Sequence, residues 1–128
     1  MIIMMICLLM IFGISLKAQQ KYRDLDAEQF SRMIVEQPGS IIDTRTEQEF
    51  ENGHIAGAIN INYYSDDAAS RMLALDKSKP VYVYCQAGGR ARMACDFLTE
   101  AGFTRVYHLK GDIIGWEKAG KKIMTEDE

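Results

Sequence analysis

The sequence predicts an α/β domain, with a mostly parallel sheet that carries helices on both of its faces. Short segments that are apolar throughout alternate along the chain with segments of helical periodicity. Strands without a polar face are buried on both sides, which is typical of parallel sheets covered by helices. The most apolar of these strands, Val81 to Tyr84, ends at Cys85. Ligands bind such sheets at the carboxyl ends of the strands, so a functional site is expected here.

Each element has its own signal in the sequence. Asp26 and Thr46 are typical helix N-caps, and Thr46 forms a capping-box pattern with Glu49. Pro38-Gly39 and Asn52-Gly53 are typical helix ends. The predicted strands are Ser40 to Asp43, Ala58 to Ile61, Val81 to Tyr84 and Val106 to Leu109, and the later helices are Ala68 to Leu75, Arg90 to Ala101 and Gly111 to Lys118.

Composition narrows the class of protein. The 128 residues include 26% charged and 48% hydrophobic side chains, which is enough for one globular domain with its own core. The net charge of −3, without a basic patch, gives no basis for a nucleic-acid partner.

The first sixteen residues, MIIMMICLLMIFGISL, carry no charged side chain. As a helix they would span about 24 Å, less than the roughly 30 Å of the hydrocarbon core of a bilayer. This length predicts that residues 1–18 form a signal peptide, which is cleaved after Ala18. Residues 19–128 then form a single domain. The protein is then exported, to the periplasm, and has no membrane span after cleavage. An uncleaved segment that anchors the protein is the alternative.

The segment after the most apolar strand, CQAGGR, predicts a site for an anion. Its two glycines allow positive φ values, so the loop can turn its backbone N–H groups toward one point. The first turn of the following helix adds free N–H groups and the positive end of its dipole. The residues expected to bind the substrate are Gln86, Ala87, Gly88, Gly89 and Arg90.

Two cysteines remain after residues 1–18, and they have different surroundings. The loop favours the thiolate of Cys85 and should lower its pKa below the ordinary value of about 8.5, so Cys85 is predicted to be a nucleophile for an anionic substrate. The alternative is a buried strand residue before a tight turn. Cys95 shares an apolar helix face with Ala94 and Leu98, so it is expected in the core and not in a disulfide with Cys85.

Three segments, in the same order, resemble the rhodanese family of sulfurtransferases. YCQAGGRA is similar to the active-site loop of that family. IIDTRTEQEFENGHIAGAINI, from Ile41 to Ile61, and AGFTRVYHLKGDIIGWEKAG, from Ala101 to Gly120, resemble the segments before and after this loop. The resemblance covers roughly residues 22 to 124.

The resemblance implies a single rhodanese domain with three layers and a five-stranded sheet, in which Cys85 carries a persulfide. The implied partners are a small anionic sulfur donor, thiosulfate or a related compound, and cyanide or a thiol as the acceptor. No metal and no organic cofactor is implied, because the cysteine itself carries the sulfur.

Other polar residues have structural as well as functional explanations. The resemblance places Asp43 and Arg45 near the loop, where a structural ion pair is favoured over contact between Arg45 and the substrate. The capping box explains Glu49, and fixing of local structure explains His54 and His108. Candidates for the rim of the pocket are Tyr63, Tyr64 and Tyr84.

One position departs from the family. Lys110-Gly111-Asp112 stands where the family often has Lys-Gly-Gly. Asp112 is expected to put a negative charge near the pocket, which weakens the binding of anions such as thiosulfate.

Three other functions fit parts of the sequence. A phosphatase or arsenate reductase on the same fold would carry His-Cys-x5-Arg, but Tyr84 precedes Cys85 here, and Arg90 gives a loop that is one residue short. A non-catalytic interaction module would usually lack the cysteine. A thiol redox protein of the cell envelope would be expected to carry Cys-x-x-Cys, which this sequence does not contain.

Overall fold

The computed structural model describes residues 21–125. The predicted signal peptide, residues 1–18, lies outside the described residues, and so do its predicted cleavage and its alternative as an anchor. Within residues 21–125 no helix is long and apolar enough to cross a membrane.

The described part of the chain forms five strands and five helices. The strands are β1 (Arg23–Leu25), β2 (Ser40–Asp43), β3 (Ile59–Asn60), β4 (Val81–Tyr84) and β5 (Val106–Leu109). The helices are α1 (Ala27–Glu36), α2 (Glu47–Asn52), α3 (Ala68–Leu73), α4 (Gly89–Glu100) and α5 (Asp112–Lys118). The predicted elements are therefore present, although several end one or two residues away from the predicted positions.

The five strands form one parallel sheet in the order β1-β5-β4-β2-β3. The most apolar strand, β4, is the central one, and Val83 pairs with Ile42 of β2 and with His108 of β5. This arrangement confirms the predicted α/β fold with a five-stranded sheet. Because all strands are parallel, their carboxyl ends meet at one edge, where Cys85 directly follows β4.

Two hydrophobic cores cover the two faces of the sheet. Successive side chains of β4 point to opposite faces, so Val81, Val83 and Cys85 join one core, and Tyr82 and Tyr84 join the other. The first core contains residues of α3 and α4: Ala68, Met72, Ala91, Ala94, Cys95 and Leu98. The second contains residues of α1 and α5: Ala27, Phe30, Ile113 and Trp116. The predicted three layers are thus helices, sheet and helices.

The two predicted helix caps are present. The Asp26 side chain accepts a hydrogen bond from Gln29 N–H, and the Thr46 side chain accepts one from Glu49 N–H. In both cases the side chain at the third helical position bonds back to the cap residue, which completes a capping box. The second cap is the one that matters for the site, because it fixes the position of Glu49.

Candidate active site

The Cys85 sulfur lies under the loop that joins β4 to α4. Cys85 is 1% exposed, and Gly88 N–H donates a hydrogen bond to its Sγ at 3.0 Å. Gly88 has φ 110°, which a residue with a side chain rarely adopts, so the glycine allows the turn that aims this N–H at the sulfur. Within residues 21–125 this is the one backbone hydrogen bond to Sγ, although several converging amides were expected.

The helix after the loop points its amino end at the same sulfur. Helix α4 has twelve residues and begins at Gly89, directly after the residue that contacts Sγ. The N–H groups of its first turn and its dipole make this end partially positive. Backbone groups at this point therefore provide a partially positive environment that does not depend on a charged side chain.

The Cys85 backbone is fixed from a third element, α5. Cys85 N–H donates to Asp112 Oδ1 at 2.9 Å, and Ile113 N–H donates to the Cys85 carbonyl at 3.1 Å. On the other side, the N–H and the hydroxyl of Thr44 both donate to the Tyr84 carbonyl at 3.0 Å. The end of β4 is thus held on both sides, so the position of Sγ depends on contacts that are distant in sequence.

Arg90 forms an ion pair that the sequence analysis did not predict. Its Nη1 and Nη2 donate to the Glu49 carboxylate at 2.6 and 3.1 Å. The hydrogen bond from Arg90 is the main reason that the pKa of Glu49 falls to about 2, and the same bond raises the pKa of Arg90. Glu49 therefore serves as a helix cap and as the partner of the loop arginine. Binding of the donor by Arg90 stays a prediction.

Arg45 occupies the structural position that the sequence analysis favoured. It is 4% exposed and contacts Asp43 through Nε and Nη2, with the shortest distance 2.7 Å. Nη2 also donates to the Gly53 carbonyl, and Nη1 donates to Gln86 Oε1 at 3.1 Å. Through this last bond the Asp43–Arg45 pair holds the first loop residue in place. Of the other loop residues, Ala87 and Gly89 are exposed and Gly88 is buried.

A cavity of about 420 Å³ lies beside the loop. It contains polar side chains of both charges next to an apolar wall, and Gln86 links it to the Cys85 loop. Its lining residues are Arg45, Glu49, Asn52, Gly53, Gln86, Ile113, Glu117 and Ile123. Another cavity, of about 290 Å³, is lined by the amino ends of β1 and β5, at the opposite edge of the sheet from Cys85. Of these two cavities, the first is therefore the one that contacts the Cys85 loop, through Gln86, although Cys85 itself does not line it.

Tyr84 does not rim this cavity, which corrects one expectation of the sequence analysis. It is fully buried in the second core, and its hydroxyl accepts a hydrogen bond from Ile55 N–H at 3.0 Å. Burial is the largest cause that raises the pKa of Tyr84 far above its usual value. Tyr64, in contrast, is 68% exposed.

A buried carboxylate lies against the sulfur. Asp112 is 2% exposed, and its Oδ1 is 3.6 Å from Cys85 Sγ. The carboxyl group that the departure at this position introduces is therefore located directly beside Cys85. Asp112 has φ 54°, in the left-handed region where glycine is the usual residue, which agrees with the glycine that the family often has here.

Two more polar side chains extend from Asp112 to the surface. His108 Nε2 lies 3.0 Å from Asp112 Oδ1, and His108 Nδ1 lies 2.9 Å from Asp24 Oδ1. The His108 side chain is 1% exposed and the Asp24 side chain 37% exposed. The sequence predicted only a structural role for His108, in the last strand. The available signal for this contact was a histidine in an apolar strand, four residues before an aspartate. That spacing does not predict the contact by itself, because the contact depends on where β1 and α5 lie around the histidine.

The pKa values of these groups follow from their contacts. Burial opposes the charged form of His108, but the hydrogen bonds and charges of Asp112 and Asp24 outweigh burial and raise the pKa of His108. Burial likewise opposes the charge on Asp24, and His108 and Arg92 outweigh it, so the pKa of Asp24 is lowered. The more exposed carboxylate is thus held in its charged form by a histidine on one side and an arginine on the other.

Cys85 and Cys95 are both free, which confirms that they do not form a disulfide. Cys95 is fully buried on the sheet-facing side of α4. Burial raises the pKa of the Cys95 thiol well above its usual range, so this thiol is kept neutral. Of the two cysteines, only Cys85 has the helix terminus and the Gly88 N–H at its sulfur.

The chain belongs to the family of rhodanese-like domains, whose model matches residues 26–119. A sulfurtransferase of Allochromatium vinosum is 30% identical over 105 residues, which are 81% of this chain and 96% of that protein. The thiosulfate sulfurtransferase GlpE of Shewanella oneidensis is 33% identical over 98 residues, 77% of this chain and 95% of that protein. These comparisons confirm the predicted family.

The same kind of domain also occurs in larger proteins and in solved structures. A tRNA uridine(34) hydroxylase of Hamiltonella defensa is 33% identical over 102 residues, which are 77% of this chain but 29% of that protein. A crystal structure of a rhodanese-related protein from Thermoplasma volcanium matches with a TM-score of 0.72 at 28% identity, over 82% of this chain and 100% of that one. The structural match confirms the predicted fold.

Proposed function

We propose that this protein is a sulfurtransferase, which takes a sulfane sulfur from thiosulfate or a related anionic donor and passes it to cyanide or a thiol. Cys85 carries the sulfur between the two steps as a persulfide. The observation that supports this most directly is the position of Sγ, which accepts a hydrogen bond from Gly88 N–H at the amino end of α4. Backbone dipoles at this point favour a sulfur anion both before and after transfer.

The chemistry needs no oxidant and no cofactor. In the first step the Cys85 thiolate attacks the outer sulfur of thiosulfate, a new S–S bond forms, and sulfite leaves with the electron pair of the bond that breaks. In the second step the acceptor attacks the terminal sulfur of the persulfide, and the Cys85 thiolate leaves. The sulfur atom changes carrier twice, and Cys85 returns to its starting state.

The relatives support sulfur transfer over the alternatives. Two proteins of similar length that match nearly end to end are named as sulfurtransferases. The tRNA hydroxylase contains much additional chain, so its name describes more than this domain. Phosphoryl chemistry is disfavoured because Cys85 to Arg90 spans six residues and Arg90 is already bound to Glu49. A phosphoryl group needs donors for three more oxygen atoms around its centre.

The test is the intact mass of the protein after incubation with thiosulfate, before and after addition of cyanide. We expect a gain of one sulfur atom that cyanide removes. Cys85→Ser should abolish the gain, whereas Cys95→Ala, which changes a core thiol of the same type, should retain most of it. Full sulfur loading of Cys85→Ser, or Cys85-dependent hydrolysis of aryl phosphates without sulfur transfer, would overturn the proposal.

We also propose that residues 1–18 are a signal peptide that is removed on export to the periplasm. The uncharged run of sixteen residues at the start of the chain supports this proposal. N-terminal sequencing of the native protein from an envelope fraction tests it, with Gln19 as the expected first residue. An intact Met1 in the membrane fraction would indicate an anchor, and recovery from the cytoplasm would contradict export.

A further inference from the structure

The buried Asp112 carboxylate creates an electrostatic problem for the proposed reaction. Its Oδ1 lies 3.6 Å from the sulfur, where an anionic donor must approach and a persulfide anion must form. Two like charges at this distance, in a site shielded from water, repel each other strongly. Either the site does not accept anions, or the charge of Asp112 is cancelled by a neighbour.

His108 is the neighbour in contact with Asp112. The two distances from its ring nitrogens, 3.0 Å to Asp112 and 2.9 Å to Asp24, each require one proton between nitrogen and oxygen. Asp24 is partly exposed and lies 3.5 Å from Arg92, so it remains the charged partner on the outer side. The inner proton then belongs to His108 or to Asp112. In either position it makes the Asp112–His108 pair neutral.

The titratable and charged groups that face the Asp112–His108 pair come from three places in the fold. Asp24 is on β1, and Cys85 follows β4. From α4, Arg92 contacts Asp24, and the buried Cys95 is near enough to be affected by the charges of Asp24 and Asp112. Among these groups in residues 21–125, the inner proton is the one whose loss changes the charge directly beside Sγ.

We propose that one proton shared by Asp112 and His108 controls whether Cys85 accepts anionic reactants. When the pair holds the proton, it is neutral, and the amino end of α4 determines the electrostatic potential at the Cys85 sulfur. When the proton leaves, the pair carries one negative charge beside Sγ and repels anions. This inference rests on the proposed function for its biological meaning, because there the reactant is an anionic sulfur donor.

Two alkylating reagents measure the electrostatic potential at Cys85 in an experiment that does not require sulfur transfer. Iodoacetate is an anion and iodoacetamide is neutral, and both react with the thiolate, so the fraction of thiolate cancels from the ratio of their rates. Mass spectrometry of the peptide that contains Cys85 separates it from the other two cysteines of the chain. From about pH 6 to about pH 10, the iodoacetate-to-iodoacetamide ratio should fall at least about tenfold as the pair loses its proton.

Two variants and a control identify the pair as the cause. Asp112→Asn keeps the acceptor for Cys85 N–H and tolerates a positive φ, but it has no charge, so its ratio should fall much less over the same pH range than in the unchanged protein. His108→Gln removes the shared proton and should show the low ratio already at about pH 6. His54→Gln, the same substitution at the other histidine of the chain, should behave as the unchanged protein.

The inference is overturned if the ratio in the unchanged protein is independent of pH, or if Asp112→Asn shows the same fall. If neither reagent reaches the buried sulfur, NMR titration of the His108 imidazole tests the inference instead. Asp112→Asn should then lower the pH at which His108 titrates by at least about one unit, and an equal titration would overturn the inference. A protein with the expected ratio that takes no sulfur from thiosulfate would remove the proposed function and leave this inference standing.

Discussion

Glu49 links a helix cap to the active-site loop. Its carboxylate accepts hydrogen bonds from Thr46, three residues earlier, and from Arg90, 41 residues later. The sequence predicted the first contact, because a capping box is a local pattern. The contact with Arg90 depends on how the fold places α2 and the start of α4 at the edge of the sheet, and no local sequence pattern predicts that placement. Asp112 is a similar case: the sequence indicated its charge, but it did not predict its contact with His108.

The ion pair gives a test of whether Arg90 binds the donor. Arg90→Ala should lower kcat/KM for thiosulfate by about tenfold or more, because a hydrogen bond from a charged group contributes about 1.5–3 kcal/mol. Glu49→Gln removes the competing carboxylate and should leave donor use unchanged or improved. Steady-state kinetics of thiocyanate formation measure both. Equal losses in the two variants would show that the pair acts as a clamp on the loop and that Arg90 does not bind the donor.

Among the secondary-structure elements, the sequence predicted those that are defined by local residue patterns. The helix cap at Asp26, the capping box at Thr46, the central strand β4 and the start of α4 after the glycine loop were predicted to within two residues. Strand β1 was not identified from its residues, because it has three residues and the first two are exposed. It forms only by pairing with β5, yet it supplies Asp24 to His108. Elements that exist through tertiary pairing are therefore the ones that local patterns miss.

Removal of the Thr46 cap should destabilise the fold moderately. The Thr46 hydroxyl accepts from Glu49 N–H at 3.2 Å and also contacts the Glu49 carboxylate. Thr46→Ala is expected to lower the free energy of unfolding by about 1 kcal/mol, measured by urea denaturation. Thr99→Ala, the same change near the end of α4, should stay within about 0.5 kcal/mol. A larger loss at Thr99 than at Thr46 would contradict the importance of this cap.

At the scale of the whole molecule, the parallel sheet gathers the site at one edge. The ends of β2, β4 and β5 and the starts of α4 and α5 place Asp43, Cys85 and Asp112 within one hydrogen-bonded region. The sequence predicted this edge as the site because the carboxyl ends of parallel strands meet there. It did not predict the chain of polar groups from Cys85 to Asp24, since that chain crosses from α5 through β5 to the edge strand.

This polar chain should also make the stability of the fold depend on pH. The pKa of His108 is raised in the folded state above its ordinary value of 6.5, because Asp112 and Asp24 outweigh burial. A group with a raised pKa contributes its full stabilisation below its unfolded pKa, and this contribution is lost as pH rises through its folded pKa. Stability from His108 should therefore be present near pH 6 and decrease at alkaline pH.

Urea denaturation of the unchanged protein and of His108→Gln, at about pH 6 and about pH 9, measures this contribution. The difference in the free energy of unfolding between the two proteins should be larger at the lower pH. His54→Gln is the matched control and should follow the unchanged protein at both pH values, because His54 stacks on Phe50 and lies outside the polar chain. A His108→Gln variant whose deficit grows toward pH 9 would mean that the imidazole is bound in its neutral form, and the assignment of a charge-stabilised histidine between two carboxylates would then be wrong.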